Sequence, residues 1–309
     1  KTSSNGSAVP DYSNVFGETI KQMAKKDNKI ICVTAAMEIG TGMSKFAEKY
    51  PDRYVDVGIA EEHAITYSAG LAADGFKPIV PIYSTFMQRS YDHICHDALL
   101  QKLPLIYCMD RAGVVGADGP THHGVFDLSF MSTLPGMIVS APKDGNELRN
   151  LIATALNSKK NFSIRYPKDS SREYQENKST EILQIGSWEI LHKGSESAIL
   201  AVGSMVGMIL DAKQDLYSEL GYLPTIINAR FIKPLDNELL IDICNNHANI
   251  ITIEEGTLSG GFGSAVSAFL HDNQLDNKMQ RLGIPDDFVE HGTRSELLHE
   301  IGLNSNNLI

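Results

Sequence analysis

Two neighbouring carboxylates, Glu61 and Glu62, follow Asp56-Val-Gly-Ile-Ala, where an apolar strand gives way to small residues and a helix opens. An acidic first turn complements the helix macrodipole, worth about 0.3–1 kcal/mol per charge. A carboxylic acid at the carboxyl edge of a sheet, shielded from water, can instead keep a proton and share it with a ring nitrogen. The residues alone leave both readings open. A second candidate is the run Asp110-Arg-Ala-Gly-Val-Val-Gly-Ala-Asp-Gly-Pro-Thr-His-His-Gly124, which directly follows an apolar strand. It is too long and too polar for a minimal strand–helix connection, and its glycines let backbone approach a ligand closely. Within it, His122 and His123 could donate hydrogen bonds or protons. The bland alternative is a surface loop rich in turn-forming residues, and no His/Cys/Glu cluster stands at a metal-ligand spacing.

Tyr83, Phe86 and Arg89 stand close together in PIYSTFMQRSY, where another strand ends and a helix starts. Phe86 is either core or a flat face for an aromatic ring, and Tyr83 and Arg89 put a hydroxyl and a guanidinium nearby. His93 and His96 read as residues of the following helix. Arg165, closing the strand before Tyr166-Pro167, is a surface cap or an anion ligand. With Arg111 it would give two guanidinium forks suited to a phosphorylated substrate. The turn Ser259-Gly-Gly-Phe-Gly263 resembles a phosphate cradle but lacks the GxGxxG order and a P-loop lysine, so tight helix–strand packing is the better reading.

Elements must bring these pieces together. Helical spacing over 12–25, apolar β-branched runs at 29–34, 54–58, 77–82, 105–109, 137–140 and 162–165, and helical patterns at 61–73, 86–101 and 144–157 alternate along the chain. That alternation predicts an α/β domain with a mainly parallel sheet. The polar run KDSSREYQENKST interrupts it. A second α/β pattern follows: strands at 198–202, 225–229, 249–254 and 279–284, with helices at 206–220, 237–246, through 270, and at 293–301. The predicted organisation is a first domain over 11–168, a linker over 169–181 and a second domain over 182–309.

The 309 residues are 42% hydrophobic and 21% charged, with a net charge of −11, a balance that argues against a nucleic-acid surface. No run reaches the ~18 apolar residues of a membrane span. Cys32, Cys95, Cys108 and Cys244 form no CxxC pair and read as buried thiols of a reducing compartment. The opening Lys1-Thr-Ser-Ser-Asn-Gly-Ser has neither an initiator Met nor an apolar signal, which raises the expectation of a piece of a longer protein.

The motifs DVGIAEEHAITYSAGLA, PIYSTFMQRSYDH and DRAGVVGADGPTHHGVFDLS closely resemble the pyrimidine-binding domain of the 1-deoxy-D-xylulose-5-phosphate synthase family, transketolase-like enzymes that depend on thiamine diphosphate. The likeness runs on through IRYP, EEGTLSGGFGSAV and LGIPDDFVEHGT, covering nearly the whole chain from about Tyr12. It implies an enzyme that condenses pyruvate with D-glyceraldehyde 3-phosphate, releasing carbon dioxide, at the first step of the methylerythritol phosphate route to isoprenoids. By that resemblance Glu61 activates the cofactor through the pyrimidine ring nitrogen and Phe86 stacks on the ring. Tyr83, Arg111 and Arg165 hold the substrate phosphate, Asp118 and His122 lie near the acceptor's oxygens, and Arg89 handles the pyruvate-derived carboxylate.

The family also carries a GDG-type segment for the diphosphate and Mg2+ in an amino-terminal domain. The Asp-Gly steps here, at Asp74, Asp118 and Asp144, lack that context. The implied picture is about half of an enzyme, inactive alone, that forms a homodimer in the bacterial cytoplasm or the plastid stroma. Three readings compete: this one, the small subunit of a split transketolase or the beta subunit of a 2-oxoacid dehydrogenase, and a non-catalytic dimerisation module. Glu38, a charge in the small, apolar setting of AMEIG, has no assigned role.

Overall fold

The computed structural model describes residues 9–304 and Asn307; the polar opening heptapeptide lies outside the described residues. Twelve strands among them form two sheets: β1 Ile30–Thr34, β2 Tyr54–Asp56, β3 Lys77–Tyr83, β4 Ile106–Asp110, β5 Ile138–Ser140, β6 Phe162–Arg165, β7 Glu189–His192, β8 Ser197–Ala201, β9 Thr225–Asn228, β10 Phe231–Lys233, β11 Asn249–Thr257 and β12 Lys278–Ile284. The first sheet runs β10-β5-β6-β4-β3-β1-β2 and the second β12-β11-β8-β9-β7. All pairings are parallel except those of the edge strands β10 and β7. The expected pair of α/β domains with mainly parallel sheets is therefore present.

Parallel strands covered on both faces need side chains that tolerate burial throughout, and β1, β4 and β6 are buried at every position. The helix Glu61–Ala73 packs on β3 through a face of small residues, Ala64, Ser68, Ala69 and Ala72, which allows close approach. The helical pattern over 86–101 is realised differently from the single helix expected. Ser84–Met87, Gln88–Ser90, Tyr91–His93 and Ile94–Leu99 alternate α, 3-10 and π turns. Met87, Ser90, Ile94 and Ala98 all face inward, so the apolar spacing was readable while the changing pitch was not. The expected helix over 206–220 is likewise divided at Ala212, between Ser204–Asp211 and Lys213–Leu220.

The domains are joined by more than the segment between them. Only Ala229 and Arg230 separate β9 of the second sheet from β10, which pairs antiparallel with β5 of the first. Phe231 on β10 is fully buried and meets Phe162 edge-on, with ring centroids 6.2 Å apart. Trp188, the single tryptophan, donates from its indole nitrogen to the Phe231 carbonyl at 2.7 Å and packs edge-on against Phe262. One hydrophobic cluster consequently runs from Phe16 and Ile79 of the first domain to Leu200 and Phe262 of the second. The polar stretch after Lys168 carries no helix or strand and follows the first domain, with Ser171 donating to the Pro10 carbonyl and Gly145 to that of Ser171.

Truncating Phe231→Ala should cost roughly 3–5 kcal/mol of unfolding free energy, the range for a buried aromatic. Urea unfolding followed by Trp188 fluorescence checks this, since the indole sits on the seam. A loss under about 1 kcal/mol would show that the shared strand does not couple the domains.

Candidate active site

β1, β3 and β4 end side by side, so the loops that leave them meet at one edge of the sheet. Gly40, in the loop after β1, lies so close to Tyr83 at the end of β3 that any Cβ would collide with its hydroxyl. Tyr83 stacks on Phe86 with centroids 5.7 Å apart and planes 19° from parallel. The Arg111 guanidinium lies 3.8 Å from the Tyr83 ring centre and donates to the Gly40 carbonyl at 2.7 Å. His122 meets Phe86 edge-on at 5.4 Å, and the Arg89 guanidinium lies 4.9 Å from the Phe86 ring centre. The fold thus gathers Tyr83, Phe86, Arg89, Arg111 and His122 into one cluster.

Glu61 opens its helix at the same edge. The Asp56 carboxylate shapes the approach by accepting the amides of Ala36 and Gly58, at 2.8 and 2.9 Å. Glu62 is exposed, whereas Glu61 is only 2% accessible and accepts from Arg89 at 2.8 Å. Burial therefore separates two carboxylates that the sequence presented as equals. Arg89 touches both Glu61 and Phe86, a double contact that the sequence spacing did not predict.

Arg111 is held from behind by Asp110, a fully buried carboxylate that also accepts from Ser13 at 2.6 Å. Burial pushes the Asp110 carboxyl up to about 6, against the lowering effect of Arg111 and Ser13. Desolvation raises the Tyr83 hydroxyl too. Asp118 bonds Lys168 at 3.0 Å, which holds its carboxyl below the ordinary range. His122 receives or gives one bond with Thr121 at 2.9 Å.

Other candidates lie elsewhere or are already engaged. Arg165 is held by bonds to the protein itself. It is 5% exposed, and its guanidinium donates to Asp127 at 2.8 Å, to the Glu255 carbonyl at 2.9 Å and to the Gly124 carbonyl at 3.3 Å. His123 accepts the Val115 amide on Nδ1, so its Nε2 carries the hydrogen donated to the Glu290 carbonyl at 3.0 Å. Both ring nitrogens are spent on structure. In the Gly-rich turn, the Glu254 carboxylate accepts the amides of Phe262 and Gly263, each at 2.7 Å, at the head of the helix Phe262–Asp272. A protein carboxylate fills the place where a phosphate would bind. Glu255, beside it, went unnoticed in the sequence, yet it accepts the Val114 amide of the loop at 2.8 Å. The described residues hold no group of three or more His, Cys, Asp or Glu able to bind a metal, and no helix long and apolar enough to cross a membrane. The four cysteines are free.

Burial lifts the Glu254 carboxyl to about 7 despite its two amide donors. Between the unfolded value of 4.5 and 7 the folded chain keeps a proton that the unfolded chain has released, so this group's contribution to stability declines as pH rises through that window. Glu254→Gln removes the titration. Urea unfolding at pH 5 and pH 8 should show the parent losing on the order of 2–3 kcal/mol more than the variant. Equal losses would refute the assignment.

Two family models match: "Transketolase, pyrimidine binding domain" over residues 8–173 and "Transketolase, C-terminal domain" over 186–308. The 1-deoxy-D-xylulose-5-phosphate synthase 1 of Geobacter sulfurreducens is 46% identical over 306 residues, covering 99% of this chain and 48% of that protein. A 1-deoxy-D-xylulose-5-phosphate synthase of Synechococcus sp. (strain JA-2-3B'a(2-13)) is 49% identical over 298 residues, 96% of this chain and 46% of its own length. The chain thus spans about half the length of the curated relatives it matches. Among solved structures, one titled "Split gene transketolase, inactive beta4 tetramer" aligns with a TM-score of 0.87 at 26% identity, over 96% of this chain and 95% of that one. The transketolase of Campylobacter jejuni shares the fold, with a TM-score of 0.79 at 18% identity over 96% of this chain and 45% of that one. The chain belongs to the transketolase family, as a pyrimidine-binding domain followed by a C-terminal domain.

Proposed function

We propose that this chain supplies the pyrimidine-binding and C-terminal domains of a thiamine diphosphate-dependent transferase of the 1-deoxy-D-xylulose-5-phosphate synthase type. Such an enzyme joins pyruvate to D-glyceraldehyde 3-phosphate and releases carbon dioxide. The observation that carries the reading is the buried Glu61 carboxylate placed within reach of the same arginine that covers Phe86. A flat heterocycle with a ring nitrogen needs a face to stack on and a carboxyl to share a proton with, and these two residues offer both. When bound, the cofactor supplies a carbon acid that adds to the 2-oxo acid and stabilises the charge left after decarboxylation.

The chain's own residues do the rest. Glu61 shares its proton with the pyrimidine ring nitrogen, and Phe86 fixes the ring's plane. Arg89, its side chain 54% exposed, yields Glu61 and Phe86 to the cofactor and turns its charge to the pyruvate carboxylate. Arg111, pinned by Asp110 and the Gly40 carbonyl, holds the aldehyde's phosphate together with Tyr83. Asp118 and His122 orient the acceptor's hydroxyl and carbonyl oxygens. Arg165 serves this site by holding the loop that carries them, since its guanidinium is already bonded to Asp127, Gly124 and Glu255.

The diphosphate and Mg2+ fall to an amino-terminal domain of the family type, and a homodimer in the cytoplasm or plastid stroma completes the assignment. Ile39 and Ile59, 86% and 83% exposed at the site edge, suit such a covering partner. Identities of 46% and 49% to the synthases, against 26% to the split-gene transketolase, favour the synthase over the split-transketolase reading.

The 309-residue chain with Mg2+ and thiamine diphosphate should show no turnover, and adding the amino-terminal half should restore it. Turnover by the chain alone would reject the division of labour. In the reconstituted enzyme Glu61→Ala should lower kcat by roughly 10²–10⁴-fold. Arg111→Ala should raise the KM for the aldehyde phosphate roughly 10–100-fold, the loss expected for a charge-assisted contact; an unchanged KM removes Arg111 from the phosphate site.

A further inference from the structure

We infer that Glu255, in the second domain, is a positioning residue that sets the loop presenting Arg111, Asp118 and His122 to the site. The inference rests on the functional reading above for what the loop does, and on geometry alone for how the loop is held. The loop is pinched at its base, where Gly113 and Gly124 exchange backbone hydrogen bonds at 2.7 and 2.8 Å. Beyond that pinch, at Val114, the backbone amide donates 2.8 Å to Glu255 Oε1. The other carboxylate oxygen accepts from Ser204 at 2.9 Å and from Arg294 at 2.5 Å. Glu255 is 1% exposed, and a buried carboxylate with three donors has little freedom to move.

The loop has adapted to this carboxylate. Gly113 has φ +79°, and a Cβ there would overlap the Glu255 side chain. Arg294 extends the connection, donating to Asp169 at 2.9 Å, while the adjacent Lys168 bonds Asp118 of the same loop at 3.0 Å. Two points of the loop, Val114 and Asp118, are thus tied down, the first directly to Glu255 and the second to Lys168, whose neighbour Asp169 takes Arg294 of the second domain. The bonds of Glu255 go to the Val114 amide, Ser204 and Arg294 and not to a side chain of the Tyr83–Phe86 cluster, so Glu255 acts through the loop backbone.

The first test is hydrogen–deuterium exchange on the 309-residue chain. Glu255→Gln keeps the size of the side chain but puts an amide against donors. It should speed exchange at the Val114 and Val115 amides by at least about ten-fold and leave β3 and β4 unchanged. Arg294→Gln, which alters neither the loop's residues nor Glu255 but removes a donor that fixes Glu255, should move the same amides in the same direction and serves if the first variant does not fold. Unchanged loop exchange, or an equal rise across the whole chain, overturns the inference. The second test is kinetic, in the enzyme reconstituted with its amino-terminal half. Glu255→Gln should raise the KM for the aldehyde phosphate about ten-fold with kcat within about three-fold, a split that general destabilisation would not produce. A fall in kcat with KM unmoved counts against it. If the parent shows no turnover, the functional reading fails while the exchange result still decides whether Glu255 holds the loop.

Discussion

A carboxylate withdrawn from water must be answered by donors, and in this chain most of the answers join segments that are distant in sequence. Asp110 draws Ser13 and Arg111 to the end of β4. Asp127 takes Arg165, which also reaches the Glu255 carbonyl in the other domain. Glu147 receives Asn228 and Arg230 from across the domain boundary. Glu254 seats one helix, and Glu255 holds the loop beside the site. Leaving any of these charges unpaired would cost several kcal/mol, so the donors and the segments that carry them are held in a single arrangement. The site edge inherits its order from these pairings as much as from the sheet.

The alternation of strand and helix was legible because its period is local. The helix at Glu61–Ala73 and the strand at Phe162–Arg165 stand where the sequence pattern placed them. The short edge strands β7 and β10 were not anticipated. Three or four residues carry too little periodicity, and β10 owes its pairing to a strand about ninety positions earlier. The gathering of Tyr83, Phe86 and Arg111 was legible too, since they stand at or just past the ends of β3 and β4, which a parallel sheet brings to one edge, and His122 lies in the loop that leaves β4.

Arg165 shows the limit of such reading. Its position after an apolar strand suits an anion ligand as well as a structural clamp. The structural hold comes from Asp127 and the Glu255 carbonyl, whose approach no local spacing reveals. Glu255 was overlooked for the same reason. In sequence it is one acid of a pair in EEGT, and its partners Val114, Ser204 and Arg294 come from three separate stretches. His123 was a candidate acid until its two nitrogens were seen to be committed.

Arg89 leaves a quantitative consequence. Because one guanidinium engages both Glu61 and the Phe86 ring, any flat guest of that edge competes with a tethered internal occupant. The observed dissociation constant is then the intrinsic one divided by the fraction of time Arg89 stands aside. If that fraction were about one in ten, binding would weaken about ten-fold with no change in the contacts finally made. A side chain that draws on the same two groups as the guest acts as a built-in competitor, present at a concentration that dilution cannot lower.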